Sequence, residues 1–100
     1  MNTSFYSIEQ IKYANKEHGQ HFFSRGALRF FHSRIGRKVH RGPGGIYFIT
    51  SEQFDERSPR LYTVRRFDSV SAAVDTVGEF QQFACARHAH SEAARLAESI

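Results

Sequence analysis

The sequence holds one cysteine, Cys85, two prolines and no tryptophan. A single thiol excludes an intramolecular disulfide and any thiolate-rich metal centre, and it fits a reducing, cytoplasmic setting. No stretch of about 18 apolar residues is present, so no membrane-spanning helix is expected. The start, Met1-Asn2-Thr3-Ser4-Phe5, lacks the basic and apolar regions of a secretory leader, and none is expected. There is no internal repeat, low-complexity tract or linker. Residues 1–100 are expected to form a single α+β domain.

A second absence is local. No Asp or Glu occurs between Glu17 and Glu52, and that interval contains Arg25, Arg29, Arg34, Arg37, Lys38 and Arg41. The remainder carries eight basic and ten acidic residues, so the net charge of +4 arises from one segment. Arginine outnumbers lysine eleven to three. Its planar guanidinium donates two parallel hydrogen bonds to a carboxylate or a phosphate, which points to an acidic partner. The bland alternative is a solvated basic face.

What the chain does have is material for a core. Hydrophobic residues make up 40% of it, with ten Phe and four Tyr, and each aromatic ring buries a large area. Ser7 and Gln10 match the capping-box pattern, with Tyr6 and Ile11 at the staple positions. A first helix is predicted from Ser7, with Ile8, Ile11, Ala14 and His18 on one face, Tyr13 on the other and Gly19 as terminator. A second helix is predicted from about Ser24 to Ile35. It joins Ala27, Leu28, Phe31 and Ile35 on one face, places Arg25, Arg29 and His32 on another, and is ended by Gly36. Phe30 lies about 120° from the centre of that apolar face and is either a second core contact or an exposed ring.

Gly42-Pro43-Gly44-Gly45 predicts a tight turn. Ile46 to Thr50 predicts a strand apolar on both faces, hence central or covered. Arg37 to Arg41 is expected to pair with it as an edge strand, where cations discourage stray pairing. Glu52 to Pro59 reads as a polar loop containing Phe54. Further strands are predicted over Leu61 to Phe67 and Val74 to Phe83, the latter bent at Gly78. Ala86, Ala89, Ala93, Leu96, Ala97 and Ile100 fall on one face of a C-terminal helix. The expected fold is α+β: two N-terminal helices, a three- to four-stranded antiparallel sheet and a C-terminal helix, with the helices on one face of the sheet.

No catalytic constellation emerges. The six histidines, His18, His21, His32, His40, His88 and His90, lack the convergent spacing of a metal site, and Cys85-x-x-His88 is a half-site with no partner pair. Cys85 has no orienting group or oxyanion motif beside it and is expected to be a small buried hydrophobe. The glycines of 42–45 precede a strand rather than a helix, unlike a phosphate loop. Neither cofactor, metal nor enzymatic activity is expected. The expected binding residues are Arg25, Arg29, Phe30, Arg34, Arg37, Lys38 and Arg41.

Four runs carry a resemblance over most of the chain: Phe22-Phe23 with Leu28-Arg29-Phe30-Phe31-His32-Ser33-Arg34-Ile35; Tyr47 to Phe54; Ser58 to Arg65; and Val77-Gly78-Glu79-Phe80-Gln81-Gln82-Phe83. They resemble small uncharacterised proteins encoded by phages and prophages. That resemblance implies phage origin and no reaction. It implies an accessory protein that binds a host protein or ribonucleoprotein complex, in the manner of anti-CRISPR inhibitors. The alternative expectation is a nucleic-acid-binding module using the Arg-rich helix and the strand after it. The α-β-β-β-α portion is also the element order of double-stranded-RNA-binding domains. That family's lysine cluster is replaced here by Arg87-His88-Ala89-His90-Ser91-Glu92, so the likeness is one of topology alone.

Overall fold

The computed structural model describes residues 5–20, 22–23 and 33–99. The first helix, α1 (Ile8–Glu17), begins as predicted. Ser7 accepts from the Gln10 N–H at 3.3 Å, and the Gln10 side chain accepts from the backbone N–H of Ser7 at 3.1 Å. Two otherwise unsatisfied helix-start donors are thereby paired. The helix closes into Gly19, whose φ of +76° suits a residue without a β-carbon. Tyr13 points to solvent. The inward stripe is Ile8, Ile11 and Asn15, with His18 exposed. Asn15 is 1% exposed, and its side chain donates to the Ala72 carbonyl at 2.7 Å. That bond ties α1 to the turn after the fourth strand.

The helix predicted over Ser24–Ile35 lies outside the described residues for positions 24–32. Its end is corrected: Arg34–Ile35 is a strand, β1, opposite Ser51 and Thr50. β2 (His40–Gly42) pairs with the start of β3 (Gly45–Glu52) around the predicted Pro43-Gly44 turn. β1 and β2 therefore line the same side of β3 as one interrupted edge. Four residues, 36–39, stand where β3 has two, 48 and 49. β4 (Leu61–Phe67) pairs antiparallel with β3 along its whole length, and β5 (Val74–Val77) pairs with β4. Among the described residues the sheet has five strands, all antiparallel, where three or four were expected. The splitting of the basic edge into two pieces accounts for the difference.

The expected third strand to Phe83 stops at Val77. Gly78 and Gln81 both have positive φ, and the chain loops out before Phe83 rejoins Tyr62 through two backbone hydrogen bonds. The last helix, α2 (Ala86–Glu98), follows. Cys85 is its N-cap residue and is half-buried, not the buried strand-end hydrophobe expected. The N–H groups of His88 and then Arg87 hold its thiol below the ordinary range.

α1 and α2 do not share a face of the sheet, which corrects the expected arrangement. Side chains alternate along a strand, and both sets on β3 are apolar. Tyr47 and Ile49, with Val64 opposite, pack against Ala89, Ala93 and Ala97 of α2. Phe48 and Ile46, with Phe67 opposite, pack against Ile8 and Ile11 of α1 and against Phe22 and Phe23. The result is a three-layer sandwich with β3 buried at its centre.

Candidate binding surface and the groups beside it

Of the predicted binding residues, Arg25, Arg29 and Phe30 lie outside the described residues. Arg34, Arg37, Lys38 and Arg41 all lie on the interrupted edge β1–β2, and all four are exposed. Register fixes which way they point. Arg34 stands opposite Ser51, on the α2 side. Arg41 stands opposite Ile46, on the α1 side. Those partners are five residue steps apart on β3, about 17 Å of strand. Arg37 and Lys38 occupy the interruption between them. The four cations thus outline an edge and do not share one face.

Each end of the edge has its own company. At the β1 end, Arg60 donates to the Ser51 carbonyl at 3.1 Å and to its hydroxyl at 3.0 Å, which brings a second guanidinium beside Arg34. At the β2 end, the Arg41 guanidinium lies 3.8 Å from the centre of the Tyr6 ring. Tyr6 is itself 65% exposed. The stacking covers one face of the guanidinium plane with the ring.

Two polar constellations escaped the sequence reading. The first is a buried charge network on the α1 side of the sheet, beyond the phenylalanines. Glu52, expected in a loop, ends β3 and is 2% exposed. Thr50 donates to it at 2.5 Å, Thr63 at 2.9 Å and Arg65 at 3.2 Å. Arg65 also donates to the hydroxyls of Thr50 at 3.0 Å and Thr76 at 2.6 Å. Its guanidinium is flanked by the rings of Phe22 and Phe80 at 5.2 and 5.6 Å. Burial lowers the Arg65 pKa, and Glu52 opposes that. Thr63 accepts from the Gln81 N–H at 2.9 Å, so the network also anchors the 78–82 loop. Among the described residues no buried side-chain polar atom lacks a partner. These groups are committed to one another. The pattern Thr-x-Glu on one strand and Thr-x-Arg on the next is the signal that could have revealed them, since alternation puts all four on one face.

The second constellation joins His40 of β2 to His90 of α2. Their ring nitrogens Nε2 and Nδ1 lie 3.0 Å apart. His40 is 8% exposed and His90 is half-buried. Burial holds His40 below the ordinary histidine range, followed by the fields of His90 and Lys38; burial and then Lys38 do the same to His90. Fifty residues separate the two rings in sequence, and nothing short of the strand register would have paired them. Among the described residues no three His, Cys, Asp or Glu side chains converge on a common point. No described helix is long and apolar enough to cross a membrane.

Residues 7–94 match the model of a family of unknown function, DUF7447. The chain belongs to that family. The match runs from the N-cap of α1 to the seventh residue from the end of the chain, within α2, and so takes in the whole sheet and the basic edge of this DUF7447 member. No curated protein and no solved structure matches it.

Proposed function

We propose that this chain is a non-enzymatic binding protein, an accessory factor of phage origin that engages an acidic surface on a host protein or ribonucleoprotein complex and inhibits it, as anti-CRISPR proteins do. The observation that carries the reading is the basic edge. Arg34, Arg37, Lys38 and Arg41 are exposed along β1–β2, which has no further strand beside it among the described residues. The resemblance to phage proteins supports the origin and the kind of partner. Arg25, Arg29 and Phe30 join the surface on the strength of sequence alone.

The spread of the cations favours protein over nucleic acid. Phosphate tracking asks for a continuous stripe, whereas Arg34 and Arg41 point to opposite sides of the sheet. Scattered carboxylates on a folded partner suit that spread, with electrostatics setting register and on-rate.

The test uses tagged protein in host lysate, with and without nuclease, beside the double variant Arg37→Glu plus Lys38→Glu. Both side chains are exposed in the strand interruption, so their reversal leaves the core untouched. A stoichiometric protein partner should survive nuclease, weaken modestly with salt and be lost by the variant. Recovery that vanishes with nuclease, with affinity falling by orders of magnitude between about 50 and 200 mM salt, would assign the edge to nucleic acid instead. Unchanged recovery by the variant would move the binding surface elsewhere.

A further inference from the structure

Among the described residues, two hydrogen bonds of different chemistry join β2 and the turn after it to α2 along one seam. One is backbone: the Gly44 N–H donates to the Ala97 carbonyl at 2.8 Å. The other is the His40–His90 pair. An imidazole–imidazole hydrogen bond needs one ring nitrogen carrying a proton and the other bare. A first added proton is tolerated, because a protonated ring still donates to a neutral one. A second puts N–H against N–H and two positive charges within one hydrogen-bond length, in a half-buried site.

We propose that the His40–His90 pair is a proton-sensitive latch: uptake of the second proton breaks the ring-to-ring bond and releases β2, with the β2–β3 turn, from α2. The surroundings make this one-sided. Lys38, on the approach to β2, adds positive charge to both rings. Opposite His40 on β3 stands Tyr47, whose hydroxyl is occupied in donating to the Gly44 carbonyl at 3.0 Å. On α2 the nearest charges in sequence are Arg87 and Glu92, and Glu92 is held by Arg95 at 2.6 Å. Among the described residues, then, no carboxylate is placed to steady a doubly protonated pair. Both rings are held below the ordinary histidine range in the folded chain. The unfolded or unlatched chain therefore takes up protons first, and the seam is strongest above the ordinary value of about 6.5 and weakens as pH falls below it. The segment released carries Arg41 and follows Lys38, so the geometry of the basic edge changes with it; the latch stands whatever that edge binds.

Amide hydrogen exchange of the whole chain tests it, with Gly44 as reporter of the seam and Val64, central in β4, as reporter of the sheet. Corrected for the intrinsic pH dependence of exchange, Gly44 exchange should rise at least about tenfold between about pH 7.5 and pH 5, with Val64 unchanged. In His90→Gln, which bonds without titrating, the rise should fall to about threefold or less. An equal rise in both proteins, or none in the wild type, overturns the latch. Should the variant fail to fold, the wild type still decides: ring-nitrogen NMR should show the two imidazoles titrating in two coupled steps, with the Gly44 amide following the second. Two independent titrations at the ordinary histidine value, with Gly44 unmoved, overturn it equally.

Discussion

The two faces of the sheet are sealed in opposite ways. On one, α2 presents Ala89, Ala93 and Ala97, four residues apart, each 1% exposed or less. Side chains this small let the helix backbone lie close to the strands, and the bulk is supplied from the sheet by Tyr47, Ile49 and Val64. On the other, bulk comes from both sides, with the ring of Phe23 stacked 6.0 Å from that of Phe48. There the apolar packing gives way, within the same strands, to the Glu52–Arg65 network. One face is held by closeness of approach and the other by large rings and satisfied charge. The same two strands serve both, since alternation lets each carry two unrelated interiors.

If that contrast is right, the faces should fail differently. The largest effect is expected on the charged one. Glu52→Ala leaves the Arg65 guanidinium and two threonine hydroxyls without their acceptor and should cost about 3–5 kcal/mol in urea unfolding. The double change Glu52→Leu plus Arg65→Met should cost clearly less than the single one, because no charge is then stranded. A double variant as unstable as the single one would show that the network contributes more than mutual compensation. On the alanine face the failure is steric. Ala93→Leu should cost about 1–3 kcal/mol by forcing α2 away from Val64 and Ile49, whereas an added methylene group at a loosely packed site would be neutral or stabilising. Thermal unfolding of the two proteins decides between those outcomes. The smallest effect tests how α1 is held over the ring-lined face. Ser7→Ala removes one half of the capping box and should lower stability by about 1 kcal/mol, with increased exchange confined to the first turn of α1. A loss spread over the whole chain would mean that α1 is part of the cooperative core and not a cover upon it.

Local chemistry made much of the fold legible. The Ser7–Gln10 box, the alanine stripe of the last helix, the Pro43-Gly44 turn and the doubly apolar run from Ile46 each act within a few residues, and each matches the structure. What depended on spatial partners was not legible. An apolar helical stripe says that a helix is covered, never which side of a sheet covers it, so the stripes of α1 and α2 do not reveal that they lie on opposite faces. Glu52 follows a serine and precedes Gln53 and reads as loop, because two of its three partners, the Thr63 hydroxyl and the Arg65 guanidinium, lie on the next strand. The periodicity of Leu28, Phe31 and Ile35 predicts a helix through Arg34, but its strand pairing with Ser51 prevails. The basic edge was legible as composition. Its division between two faces was not, because the interruption at 36–39 is visible only as a change of register.

The turn between β2 and β3 sits beneath the end of α2, and a β-carbon on Gly42 or Gly44 would collide with the carbonyls of Ala97 or Leu96. Viewed as a matter of inheritance, the turn and the length of the last helix are one character written in two places more than fifty residues apart. A relative that gained a side chain at either glycine would need a helix that stops sooner or stands further off. One that lengthened the helix would be held to glycine at both positions. Substitutions in the turn and near Ala97 should therefore be found together or not at all.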